Sequence, residues 1–100
     1  MEERIFSKNI HIEKFVLSYY ILCNSSGGFN TYGIGIEKLN EHNMVVEGES
    51  ISEIFTTEKK AKHVLDRLCR KKVMPKDLTM AVEDMFKQDM NVLHPENHAV

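Results

Sequence analysis

The stretch TEKKAKHVLDRLCRKK, residues 57–72, constrains the fold of this chain more than any other. Ala61, Val64, Leu65, Leu68 and Cys69 recur at i, i+3, i+4, i+7 and i+8, which places five apolar side chains on one stripe of a helix. Burying five such side chains offsets only part of the entropy lost in ordering the helix. The stripe must therefore be met by another apolar surface. The opposite face is basic: Lys59, Lys60, Lys62, His63, Arg67 and Arg70 lie away from the stripe, and Lys71 and Lys72 close the segment.

The residues before this helix supply the surface it needs. From Ile10 to Cys23 the chain is rich in β-branched and aromatic residues, with Phe15, Leu17, Tyr19, Ile21 and Cys23 alternating on one face. Val16, Tyr20 and Leu22 make the other face partly apolar too, which marks a central strand or a patch that a partner covers. A glycine-bearing loop, NSSGGFN, leads into a second strand over 31–39, where Tyr32, Ile34 and Ile36 alternate with Gly33, Gly35 and Glu37. After a turn at 41–43, residues 44–55 read as a third strand with an irregularity at Gly48, where the phase of alternation is lost. Thr57 offers a cap to the helix, and Glu58 suits the positive end of its dipole. Pro75 opens a second helix, 76–89, with Leu78, Ala81, Val82, Met85 and Phe86 at the same spacing as the first stripe.

The fold expected from this pattern is α+β: a three-stranded antiparallel meander followed by two helices packed on one face of the sheet. Residues 1–9 are expected to be a loosely ordered end with at most a short strand near 4–7, residues 10–90 a single domain, and residues 91–100 a tail. A chain of 100 residues supports one modest core. Cys23 and Cys69 lie within apolar patterns, and the acidic start MEERIF lacks the character of a secretory signal. The expectation is a cytoplasmic protein with reduced thiols and no membrane span.

Candidate chemistry is thin. Gly33 and Gly35 lie inside a strand with no helix behind them, so they form no dinucleotide-binding turn; they permit close approach of a backbone or a bulky side chain across a sheet or dimer contact. His94 and His98 have helical ligand spacing, but Pro95 intervenes and no second ligand cluster supports them. No serine or cysteine sits on a nucleophile turn. The sequence therefore predicts no enzyme, no cofactor and no metal. The net charge is −2, yet residues 58–72 carry seven basic and two acidic side chains. Lys59, Lys62, His63, Arg67, Arg70 and Lys71 form one candidate interaction surface. Val16, Tyr20, Leu22, Gly33 and Gly35 form a candidate dimer or sheet contact. Nucleic-acid binding by the basic face is the alternative, opposed by Asp77, Glu83, Asp84 and Asp89 on the second helix.

Tyr32-Gly33-Ile34, Glu49-Ser50 and, in the second helix, Pro75, Leu78, Glu83 and Asp84 together resemble a family of short uncharacterised proteins from anaerobic spore-forming bacteria, over about residues 17–87. The resemblance implies a bacterial cytoplasmic protein of unassigned role and adds no catalytic residues. The function expected is a non-catalytic protein-interaction or regulatory module, with a protein partner or a second copy of itself.

Overall fold

A computed structural model describes residues 2–98, with side chains described as far as Gln88. The sheet has four strands, not three: β1 (Glu2–Ile12), β2 (Phe15–Ser26), β3 (Phe29–Leu39) and β4 (Val45–Phe55), antiparallel throughout in the order β1-β2-β3-β4. The extra strand comes from the segment expected to be a loose end. Ile10–Cys23 is broken by a two-residue turn at Glu13 and Lys14, and Glu13 takes a left-handed φ of 54°. Neither residue is a customary turn former, so apolar runs on both sides of the turn read as one strand. The β2–β3 turn has the expected chemistry: Gly27 and Gly28 both have positive φ, as a tight hairpin between twisted strands requires. In the β3–β4 turn the Asn40 side-chain oxygen accepts from the backbone N–H of His42 at 2.9 Å and of Met44 at 3.0 Å.

The irregularity expected at Gly48 lies elsewhere. Gly48 pairs in register with Glu37, whereas shifts occur opposite Lys38 and Leu39, leaving Val46 over, and opposite Tyr32 and Ile34, around Glu53 with φ 54°. A third shift, between Arg4 and Phe6 of β1, leaves Ile5 over. The shifts at Ile5 and Val46 each move the following residues to the other face, whereas the one around Glu53 inserts two extra residues and keeps the phase, so a single out-of-phase glycine was an insufficient reading.

Two helices cover one face: α1 (Glu58–Arg70) and α2 (Leu78–His98), joined through a 3-10 turn at Pro75–Asp77. Thr57 caps α1 by accepting from the Lys60 N–H at 3.2 Å. At its other end Val73 N–H bonds Leu68 C=O and Lys72 N–H bonds Cys69 C=O, both at 3.1 Å, with Lys72 in the left-handed region at φ 53°. The α1 stripe of Ala61, Val64, Leu65, Leu68 and Cys69 is buried on Leu17, Tyr19, Ile21, Ile34 and Ile36, and Leu78, Val82 and Met85 of α2 complete the core. Phe86 of α2 meets Phe55 of β4 edge to face at 5.9 Å. The Tyr19 hydroxyl donates to the Val73 carbonyl at 2.8 Å, which ties β2 to the connection between the helices. The helix continues to His98 where a tail from 91 was expected; its side chains from residue 89 onward, His94 and His98 among them, lie outside the described ones.

Candidate functional site

The basic face of α1 is real, and Lys62, Arg67 and Arg70 of it are already engaged. Lys59, Lys62, His63, Arg70 and Lys71 are exposed and Arg67 is half-buried. Lys62 Nζ lies 2.9 Å from Glu58, Arg70 is 2.9 Å from Asp66, and Arg67 donates to Gln88 Oε1 at 3.0 Å. Two of the acidic partners are one turn away on the same helix, so the local excess of charge is smaller than the sequence count implies. The contacts divide the face: Lys62 and Asp66 flank β1, and Arg67 leans towards α2.

The second predicted group comes together on the sheet face that the helices leave open. Tyr20 pairs with Gly35 and Leu22 with Gly33 across β2 and β3, and Val16 pairs with Leu39 at the end of the same face. The glycines are explained within the chain. A Cβ at Gly35 would collide with the Tyr20 ring, and one at Gly33 would collide with the Ile51 carbonyl and the Ser52 backbone at the β4 irregularity. Arg4, missed by the sequence reading, lies with its guanidinium 3.8 Å from the centre of the Tyr20 ring and donates to both Glu37 carboxylate oxygens, at 2.8 and 3.0 Å. Tyr20 is thus held between a glycine and an arginine and is only 5% exposed. The hydrogen bond from Arg4 holds the Glu37 carboxyl below its ordinary range against the opposing effect of burial, and that bond likewise raises Arg4. Burial pushes the Tyr20 hydroxyl up.

The third region, also unforeseen, is the β1 edge. Phe6 and Lys8 point to the helix side of the sheet, opposite Ile21 and Tyr19 in register. With Lys62, Leu65 and Asp66 of α1 they line a groove of about 200 Å³. Lys8 Nζ is 3.2 Å from Asp66 Oδ1, which also receives Arg70 through its other oxygen, and Lys62 Nζ stands 5.3 Å from the centre of the Phe6 ring. Phe6 remains 39% exposed because no strand lies outside it. The alternation of Phe6, Lys8, Ile10 and Ile12 was the signal in the sequence that could have found this strand. The opposite edge differs. β4 carries Glu47, Glu49 and Glu53, is irregular in two places, and has Pro75 and Lys76 of the 3-10 turn against Glu47, Gly48 and Glu49.

Among the described residues no group of three or more His, Cys, Asp or Glu is placed to hold a metal ion, and no helix is long and apolar enough to cross a membrane.

These features define an α+β protein in which a four-stranded antiparallel meander is covered on one face by two helices, with one open edge beside a groove. The chain belongs to a family of unknown function, DUF6514, whose model matches residues 1–88. That span takes in β1 as well as the 17–87 region that carried the resemblance. No curated protein and no solved structure matches the chain.

Proposed function

We propose that the chain is a non-catalytic protein-interaction module, cytoplasmic in an anaerobic spore-forming bacterium, and that it works through the β1 edge and the groove beside it. One observation carries the reading. From Phe6 to Ile12 β1 keeps unbroken register with β2 at the rim of the sheet, and an aromatic side chain stands part-exposed over a groove beneath that rim. An extended segment added there would gain main-chain hydrogen bonds from the strand and side-chain contact from the groove, the recognition mode of many strand-adding modules. The candidate chemistry is dispersed: His11, His42 and His63 are exposed on three separate elements, and Cys23 and Cys69 are buried. That arrangement supports a binding role over catalysis.

A photo-crosslinking amino acid placed at Phe6, in cells that carry the protein, tests the reading. A discrete adduct is expected from position 6 and none from Thr79, an exposed position on α2. An identical pattern from both positions, or no adduct from Phe6, removes the edge as the working surface. The nucleic-acid alternative has weaker support, since Lys62, Arg67 and Arg70 already have intramolecular partners. Salt-sensitive retention of mixed DNA or RNA would revive it.

A further inference from the structure

The geometry points to a small-molecule site at the far end of β1 from Phe6: a cavity in which the Lys38 ammonium binds the carboxylate of a small monocarboxylic acid and an apolar pocket receives its body. The site is independent of the β1 edge as a docking surface.

Lys38 breaks the buried stripe of β3. Tyr32, Ile34 and Ile36 alternate onto the helix side of the sheet, and position 38 is the next in phase, paired with Leu17 of β2 and Glu47 of β4. A lysine there brings a charge to a place where an aliphatic side chain would extend the core. Its side chain is only 17% exposed. The charged head lies 4.2 Å from the centre of the Phe15 ring, and both residues line a cavity of about 180 Å³ together with Ile12, Glu13, Leu17 and Met74. Met74 comes from the connection between the helices, so sheet and connection together build the walls.

The ammonium in this cavity differs from the others on the helix side. Lys8 and Lys62, in the groove beside Phe6, have their acids at 3.2 and 2.9 Å. Glu47 comes no closer to Lys38 than 4.0 Å, which is beyond hydrogen-bond length. Among the described residues Lys38 Nζ has no hydrogen-bond acceptor, although it carries three donors. A carboxylate entering the cavity would accept a charge-assisted bond from it at about 2.8 Å. Ile12, Phe15, Leu17 and Met74 would enclose the rest of the molecule. An apolar cavity of about 150 Å³ takes up benzene, so this one admits a body of that size. Drug-sized ligands need about 300 Å³ or more and are excluded. Glu13, exposed where it lines the cavity, repels a second carboxylate.

Benzoate is the probe. Titrated into the isotope-labelled full chain, it is expected to give saturable shifts centred on the amides of Ile12, Leu17, Lys38 and Met74. Three relatives are each expected to bind at least about tenfold more weakly: benzyl alcohol, which keeps the ring and loses the charge; acetate, which keeps the charge and loses the ring; and phthalate, which adds a second carboxylate. Lys38→Met keeps an apolar stem and is expected to lose the preference for benzoate over benzyl alcohol, and Lys38→Gln to lose it too should methionine disturb the packing. Lys62→Met, in the other groove, is expected to leave the preference unchanged. Absence of saturable shifts up to about 10 mM benzoate overturns the proposal, as does equal binding of benzoate and any of the three relatives. Wild-type affinity in the folded Lys38 variants overturns it as well, and so do shifts spread along the lysines of α1, the mark of ion binding without a site.

Discussion

Tyr19 and Tyr20 are neighbours in β2 that point to opposite faces of the sheet, and they are buried by different means. Tyr19 is 0% exposed within a dry layer of aliphatic side chains from the sheet and both helices, and its one polar atom reaches a backbone carbonyl at the helix connection. Tyr20 has no helix above it. It lies flat on Gly35, and a single arginine held by Glu37 covers it. One face is closed by packing two layers together, which requires many contacts made at once. The other is closed strand by strand with local side chains, and the Arg4 side chain that covers Tyr20 is itself 50% exposed. Damage should therefore spread on the first face and remain local on the second.

The largest effect is expected from Tyr19→Ala, which empties the centre of the covered face. By analogy with other buried aromatic truncations it should cost about 3–5 kcal/mol, read as a fall in the denaturant midpoint. A loss below about 1 kcal/mol would mean the two faces are equivalent. Gly35→Ala comes next, because the new methyl group meets the Tyr20 ring; overpacking of this kind costs about 1–3 kcal/mol. If the strain is local, adding Tyr20→Ser should recover most of that loss, and a double-mutant cycle measures the coupling. Strict additivity would break the picture of Tyr20 laid across Gly35. Tyr19→Phe keeps the packing and removes one hydrogen bond, so a loss of about 1 kcal/mol is expected.

The smallest effect is expected from the Arg4–Glu37 pair. The Arg4 side chain is 50% exposed, and solvent screening keeps the contribution below about 1 kcal/mol. Its signature is pH-dependent. The folded-state pKa of Glu37 is depressed, by the Arg4 hydrogen bond first, so its stabilisation is present above the unfolded carboxylate value of about 4.3. It is lost as pH falls through the lower folded value. Arg4→Gln should flatten that acid-side decline and leave stability above neutrality little changed. A variant with the same acid profile as the wild type would show that the pair contributes nothing to the open face.

The covered face was more legible in the sequence than the open one, for a reason visible in individual residues. The stripes of α1 and α2 repeat at helical spacing, and their burial follows from any arrangement that hides apolar area. The partners of Tyr20 carry no such pattern. Arg4, Gly35 and Glu37 come from two other strands and meet only through register, which depends on an unpaired Ile5 and on a turn at Glu13 and Lys14 that lacks turn-forming residues. The β1 groove was hidden for the same reason, since Phe6 and Lys8 reach Leu65 and Asp66 across 58 or more positions of chain.

The amino-acid sequence by itself determined the helices, the Thr57 cap, the break at Pro75, the identity of the core strands and the α+β class. These depend on spacing within short segments, where periodicity and capping act locally. Tertiary structure alone decided that the sheet has a fourth strand, that the glycines of β3 are filled from within, that part of the basic charge of α1 is spent on neighbours, and that one edge is left free. Those outcomes depend on which strands lie side by side and in what register, a collective choice made when the whole sheet closes against its helices.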